Sequence, residues 1–428
     1  MSHDRAPNIA YVTSFFPFGT AESWTLGEIG ALKDAGARIV LIPRSRGTTV
    51  SHRGEAGLLG LTVATDLFTW AVFMATLRTV FTNPRLVSGA IRIAWSKSLG
   101  VADFFRGLAV LPETFRLAEM LRDLDIDHVH GYSTTTVAVV ASVLARALDT
   151  EFSFTLHSNN IIHKQYRRMF RALLGEAAFA RLVAGDGFAP LSRLFSGKYD
   201  SKIKAIHLGV CCENGYSEPG AANDPFILVT PAGLSARKGH MFAVQAAKEL
   251  LDRGFSSFRW LCYGEGPLRA ELLALADAQG VGEHITFPGY LNNDNLQELF
   301  RLRRCDCVVL PSISLPPSEG IPHSLMQAMS YAIPVIATNC GSIPELVKGG
   351  AGILVPERNA GALADAILQL ARNDDLRRQC GIRGREVVLA EFNEKKIAAE
   401  LLDAFVPAAE RSQPGWLGAG KTLPQLTP

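Results

Sequence analysis

Two short apolar runs, each leading through a turn-rich loop into a helical pattern, constrain this chain more than any other feature. The first is Ile9-Ala10-Tyr11-Val12. It passes through Phe16-Pro17-Phe18-Gly19-Thr20 into a helix read through Leu26, Ile29 and Leu32 and ended by Gly36, and Arg38 to Ile42 reads as the next strand. Strand, helix and strand in that order form a βαβ unit, which demands a parallel sheet with covering helices. His128-Val129-His130, a helix over Val137–Ala147 and a strand over Phe152–Leu156 repeat the pattern.

The second opening starts at Phe226-Ile227-Leu228-Val229, short and apolar as strands buried on both faces are. The loop Gly233–Gly239 then enters a helix from about His240 to Leu251. A strand at Phe258–Tyr263, the turn Gly264-Glu265-Gly266-Pro267, a strand at His284–Phe287, a helix at Leu296–Arg303 and strands at Cys307–Leu310, Pro334–Ala337 and Gly352–Val355 follow. The expected fold class is α/β, with two Rossmann-like domains. Residues 1–208 form the first and 209–393 the second, with a link near Gly209–Asn223. A helix over 394–410 is expected to cross back to the N-terminal domain. The tail 411–428 holds three prolines and three glycines without apolar period and is expected to be flexible.

Composition excludes several function classes. With 43 basic and 41 acidic side chains, a formal net charge of +2, the chain lacks the basic excess of a nucleic-acid binder. Seven cysteines, an odd number without a C-x-x-C pair, argue for reduced thiols and against a disulfide frame or zinc site. The N-terminus MSHDRAPNIAYVTS lacks a basic stretch followed by a long apolar one, so no signal peptide is expected. The apolar stretch Ala56–Leu77 is interrupted by Asp66 and diluted by Thr62, Thr65 and Thr69, which argues against a spanning helix. Between Arg44 and Arg116, nine Lys or Arg face four Asp or Glu, with Trp70, Phe73, Phe81, Trp95 and Phe104 among them. That region reads either as a surface docking onto anionic lipid or as core helices with an ordinary polar face.

The segment most informative about chemistry is Pro316-Pro317-Ser318-Glu319-Gly320-Ile321-Pro322-His323-Ser324-Leu325-Met326-Gln327-Ala328-Met329. It follows a strand and opens a helix, whose N-terminus offers unpaired N–H groups and partial positive charge to a pyrophosphate. Gly320 permits close backbone approach, and Pro322 suits the first helical turn. Glu319 and Gln327 would lie roughly 12 Å apart along one axis. A capped helix without a ligand is the plainer reading.

This segment resembles the E-x7-E signature of retaining glycosyltransferases of the GT-B type, glycosyltransferase family 4 (group 1). Ser330–Thr338, Gly341–Leu346, Gly264–Leu268 and Phe287-Pro288-Gly289-Tyr290 resemble the same family, strongly from about Ile227 to Phe405 and more loosely before. The resemblance implies two Rossmann-like domains with the active site in the interdomain cleft. It implies that Glu319 orients a donor sugar, that Lys238 and Arg237 with the amides along the segment Gly320-Ile321-Pro322-His323 face the leaving diphosphate, and that the backbone near Gly289 and Tyr290 meets the base. His157, at a strand end, matches a histidine facing the donor sugar. Gly19 matches a small-residue loop near the leaving phosphate. Glu22 either orients an acceptor hydroxyl or caps the following helix.

Two departures stand out. The family's second glutamate is Gln327 here, which can accept through its carbonyl oxygen but carries no charge. The family's phosphate-loop arginine, five positions before Lys238, is Gly233, for which Arg237 is a nearby substitute.

Three other patterns carry little. Asp125-Ile126-Asp127 spells a metal-binding D-x-D but falls in a helix-to-strand turn. His128 and His130 share a strand face but lack a third ligand. Gly264-x-Gly266 lacks the third glycine and distant acid of a dinucleotide fingerprint. The expected activity is transfer of a sugar from a UDP- or GDP-sugar, without metal or other cofactor, to a glycan or lipid-linked acceptor. The expected setting is bacterial exopolysaccharide or lipopolysaccharide synthesis, in the cytoplasm or at the cytoplasmic face of a membrane. A silent sugar-nucleotide-binding scaffold, or an epimerase or phosphorylase on the same frame, is the alternative.

Overall fold

Short, mostly apolar strands of three to six residues need both faces covered, and the chain covers them by interleaving helices. The computed structural model describes residues 7–18, 22, 24–45, 61–66, 68–134, 136–157, 166–213, 220–315 and 319–406. Its contacts divide into two units: the described residues of Met1–His207 with those of Lys395–Pro428, and Leu208–Glu394.

The first unit carries β1 (Asn8–Thr13), α1 (Thr25–Asp34), β2 (Arg38–Pro43), α2 (Trp70–Thr82), α3 (Pro84–Lys97), α4 (Val101–Ala109), α5 (Leu111–Leu121), β3 (His128–Gly131), α6 (Thr136–Leu148), β4 (Glu151–Leu156), α7 (Arg167–Glu176), β5 (Phe179–Leu182), α8 (Phe188–Phe195) and β6 (Ile203–Ala205). Its sheet is parallel, ordered β2-β1-β3-β4-β5-β6. Helix α6 is buried on nearly every side, from Val137 to Ala145. It lies on β3 and β4 and is covered in turn by α3 and α5. That second cover explains why α6 is apolar all round. Helix α2 packs on α5 and α4 on α3, so both lie in an outer layer.

The sheet's other face holds a buried polar network. The Arg181 guanidinium pairs with Glu28 at 2.6 Å, both side chains 3% exposed or less. It also donates to the carbonyl of Ile206 at 2.9 Å, and the Tyr11 hydroxyl donates to Glu28. His128 and His130 both bond the Ser153 hydroxyl at 2.7 Å, and His130 also bonds Thr155 at 2.8 Å. The imagined metal pair is thus a pair of hydroxyl-bonded core histidines. Burial holds His128 down to about 3 and His130 well below its ordinary value. Asp127 is likewise occupied, accepting from the Asn8 amide at 2.7 Å.

The second unit carries β7 (Phe226–Pro231), α9 (His240–Asp252), β8 (Phe258–Tyr263), α10 (Arg269–Ala278), β9 (Ile285–Gly289), α11 (Asn293–Arg301), β10 (Cys307–Leu310), α12 (His323–Ser330), β11 (Val335–Thr338), α13 (Ile343–Leu346), β12 (Ile353–Val355), α14 (Ala360–Arg372) and α15 (Asp374–Glu391). The parallel sheet runs β12-β11-β10-β7-β8-β9. Counted from β7, that is the doubly wound order of dinucleotide-binding sheets, with its topological switch between β7 and β10. Helix α16 (Glu394–Phe405) ends in the first unit, where the Phe405 ring lies 4.9 Å from His128 and 5.2 Å from His130. All seven cysteines are free. The tail 411–428 lies outside the described residues.

Candidate functional site

Ligands of a doubly wound sheet bind beyond the carboxyl ends of the strands at the switch point, because there the loops diverge and leave a crevice. In the second unit the loops after β7 and β10 meet at that place. The loop after β7 makes a turn at Ala236–Lys238 and enters α9 through Gly239. Only glycine fits there: its φ is +66°, and a Cβ would lie 1.9 Å from the Pro311 carbonyl oxygen. The close approach presses this loop against the segment that follows β10, and the Ile313 amide donates to the Arg237 carbonyl at 2.8 Å.

That approach brings Lys238 to Glu319. The ammonium is 2.7 Å from Oε1, with the two side chains 18% and 7% exposed. Ser312 donates to the other carboxylate oxygen at 3.2 Å, and the Glu319 carbonyl accepts from the Ser342 amide at 3.1 Å. The glutamate is therefore fixed through both its carboxylate and its main chain. Sequence reasoning missed Ser312; a hydroxyl two residues beyond a strand that borders the switch point was the available signal.

Glu319 and Gln327 do not share one helix. Helix α12 begins at His323, with Pro322 as its N-cap in an extended conformation (φ −72°, ψ 119°), so Glu319 and Gly320 lie in the preceding loop. Among the described residues no side-chain cap bond closes the start of α12, whose first amides are the kind of group that meets an anion. Pro316, Pro317 and Ser318 lie outside the described residues. Gln327 is buried, and its amide donates to the Asn293 side chain at 2.7 Å. The His323 ring is bonded to Gln327 and to the Gly209 backbone, and burial holds it down to about 4 despite both bonds. The expected ribose acceptor is thus held by α11 and His323. Asn293 was not legible as its partner, since 34 residues separate them.

Gly289 ends β9 with φ +95°, and its carbonyl accepts from the Gly264 amide at 2.8 Å; Tyr290 beside it is exposed. Gly233 stands open, with 3.5 Å between a Cβ built on it and the Glu265 carbonyl oxygen. His240, first residue of α9, is buried with neither ring nitrogen bonded among the described residues, and burial, then the Lys238 charge, hold it down to about 4.

In the first unit, His157 follows β4 directly. Its Nε2 is 2.8 Å from the Tyr132 carbonyl, and its ring meets those of Tyr132 and Trp24. Burial, then the Arg181 charge, hold it down to about 4, so at neutral pH it is an uncharged imidazole donating to that carbonyl. Glu22 lies in the loop between β1 and α1. Its carboxylate turns back to accept the amides of Ser14, Phe15 and Phe16 at 3.0–3.2 Å, closing the loop after β1. The residue takes φ +64° to do so. Gly19 lies outside the described residues.

A cavity of about 450 Å³ opens elsewhere in this unit, lined by Arg146, Glu151, Glu176 and Lys202. It lies at the amino ends of β4 and β5, where doubly wound sheets do not hold their ligands. Among the described residues no group of three or more His, Cys, Asp or Glu side chains is placed to hold a metal ion.

Comparison with known proteins agrees with the fold. The family described as "Glycosyl transferases group 1" matches residues 216–387. A glycosyltransferase of Salmonella typhimurium assigned to colanic acid biosynthesis, WcaL, is 33% identical over 231 residues, 51% of this chain and 55% of that protein. The chain thus spans about half the length of the first curated relatives it matches. The GDP-mannose-dependent alpha-(1-6)-phosphatidylinositol monomannoside mannosyltransferase of Mycobacterium tuberculosis is 33% identical over 300 residues, 69% of this chain and 72% of that one. Among solved structures, Anabaena HepE in complex with UDP-glucose has a TM-score of 0.67 at 16% identity, covering 93% of this chain and 99% of that one, and so shares the fold. With the family's profile on its second sheet and a relative matched over most of its length, this chain belongs to the group 1 glycosyltransferases.

Proposed function

We propose that the chain is a retaining family 4 glycosyltransferase that moves a sugar from a UDP- or GDP-sugar to a glycan or lipid-linked acceptor in surface polysaccharide synthesis. The acceptor is met at the cytoplasmic face of an anionic membrane. The observation that carries this reading is the Lys238–Glu319 pair at the switch point of the second sheet. A cation and a carboxylate held there, beside the start of α12, suit a diphosphate joined to a sugar.

In this reading Lys238, Arg237 and the amides around Gly320–His323 stabilise charge on the leaving diphosphate, the task a metal performs in other transferases. Glu319, relieved of Lys238 when the diphosphate binds, accepts hydroxyls of the donor sugar. The acceptor oxygen attacks the anomeric carbon on the face the diphosphate leaves. The carbon–oxygen bond to the diphosphate breaks, and a departing phosphate oxygen takes the acceptor's proton. His157 assists at the sugar by family resemblance alone; its one N–H is given to the Tyr132 carbonyl, which leaves Nδ1 to accept from a sugar hydroxyl. The names of the relatives, with GDP-mannose in one and UDP-glucose in another, support both donor classes.

The test is donor-dependent turnover with and without EDTA, with the product's anomeric configuration read by NMR. Retention of configuration, indifference to EDTA and loss of turnover in Glu319→Ala and Lys238→Ala are expected. Intact turnover in both variants would sink the assignment. A second reading, a sugar-nucleotide-binding protein without transfer, is favoured by the engagement of Gln327 with Asn293 and by the open Gly233. It predicts a donor-induced thermal shift without turnover or slow donor hydrolysis.

A further inference from the structure

Helix α2 shows its apolar stripe to solvent. Trp70, Phe73, Leu77, Val80 and Phe81 fall within an arc of roughly 100° at about 100° per residue, and all five are exposed, Trp70 by 74% and Phe81 by 77%. Only Val72 and Ala75 of this helix are buried. Exposed apolar pairs recur on the next two helices, with Ile91 and Trp95 one turn apart on α3 and Val101 and Phe105 one turn apart on α4. An amphipathic helix ordinarily turns such a stripe inward, and single exposed apolar residues need no explanation, but a contiguous aromatic face does.

We propose that the outer face of α2, α3 and α4 docks onto an anionic phospholipid bilayer. The charge around the face selects this occupant. From Phe68 to Ala109 there are five basic residues and one acidic residue. Lys97 is buried against Glu176, and Asp103 is turned to the Leu99 amide. Arg85, Arg92 and Arg106 are exposed with no ion-pair or hydrogen-bond partner among the described residues. Aromatic side chains framed by unpaired arginines match the boundary between acyl chains and anionic headgroups.

The mode is lying on the membrane and not crossing it. Helix α2 has 13 residues, about 20 Å at 1.5 Å per residue, short of the roughly 30 Å of a hydrocarbon core. Among the described residues no helix is long and apolar enough to cross a membrane. At the edge of the face a cavity of about 320 Å³ is lined by Trp95, Leu99, Val101 and Met169 with Arg168. The Arg168 guanidinium lies 5.0 Å over the Trp95 ring. A recess of mixed polar and apolar lining, walled by a guanidinium that also donates to the Ser98 carbonyl at 2.8 Å, fits a lipid phosphate and the start of its chains.

This inference deepens the reading of a membrane-side acceptor and rests on it, but flotation with vesicles reports lipid binding whether or not sugar is transferred. The full chain is floated with phosphatidylcholine vesicles with and without phosphatidylglycerol. Co-flotation with the anionic vesicles alone is expected, weakening as salt rises. The triple change Arg85→Gln, Arg92→Gln and Arg106→Gln should lower partitioning roughly a hundredfold, at about fivefold per arginine. The triple change Trp70→Ser, Phe73→Ser and Phe81→Ser should abolish it with the unfolding temperature maintained, because these side chains leave no cavity. Failure to float with anionic vesicles, or flotation unaltered by both triples, overturns the proposal. So does a dimer in sedimentation velocity that the serine triple converts to monomer, which assigns the face to a second copy. Lost turnover with intact flotation counts against transfer alone.

Discussion

The Lys238 ammonium and the Glu319 carboxylate, 81 residues apart in sequence, lie 2.7 Å apart in the loops that follow β7 and β10. Each group would serve a different part of one ligand, the lysine its diphosphate and the glutamate its sugar. On the proposed function, their pairing would hold both groups in place until that ligand divides them. Lys238→Ala and Glu319→Ala are each expected to lower turnover on the order of 100-fold, as loss of one preorganised charge does. The double variant should lose much less than the product of the two. A double-mutant cycle in kcat/KM checks this, and strict additivity would show that the residues act apart.

The backbone around these residues separates two glycines. Gly233→Arg, for which the Cβ has 3.5 Å of clearance, should tighten donor binding about tenfold, the worth of one charge-assisted bond to phosphate. Titration calorimetry with UDP- and GDP-sugars measures it. Gly239→Ala should fold poorly or not at all, since its Cβ would overlap the Pro311 carbonyl.

Gln327→Glu puts a carboxylate where an amide now donates to Asn293. The Asn293 side chain must turn over to donate in return, which it does without moving its backbone. Donor affinity is expected to rise several-fold, with the unfolding temperature little changed. An unchanged affinity would remove Gln327 from ribose recognition.

Five histidines, with His128, His130 and His240 buried and His157 and His323 half-buried, make stability depend on acid. His157, His240 and His323 are held down to about 4, and His128 to about 3, by burial first in each case. Below about 6.5 the unfolded chain binds protons that the folded chain refuses, so stability is complete above that pH and falls as pH drops toward 4. Each group contributes a slope of up to about 1.4 kcal/mol per pH unit. Urea midpoints between pH 7 and 4.5 should fall steeply. A flat profile would show that these rings are not buried as neutral groups.

The Arg181–Glu28 pair gives a test confined to the first unit. Arg181→Met leaves Glu28 buried without its cation and should cost about 3–5 kcal/mol. Combining it with Glu28→Met should restore part of that loss, because the hydrophobic pair leaves no uncompensated charge. Equal losses in the single and double variants would show that packing, and not charge, is what Arg181 supplies.

The sequence alone determined what local chemistry controls. Short apolar runs such as Phe226–Val229, punctuated by glycine loops, specify parallel strands, because period and turn residues act over a few positions. Strands at Phe258–Tyr263 and Cys307–Leu310 have the expected bounds for that reason. The motif from Glu319 to Gln327 and Lys238-Gly239 picked out segments that the second unit brings together beside its switch point. Tertiary structure decided what those residues touch. Helix α12 starts at His323, so Glu319 is a loop residue reached by Lys238 and Ser312, and Gln327 is a helix residue held by Asn293. Glu22 closes its own loop, and His128 and His130 share a serine. The aromatic residues of α2 could have faced inward on any reading of their spacing. Periodicity puts them on one face, but only the packing of α2 on α5 sets that face outward, because a stripe in sequence carries no record of which neighbour covers it.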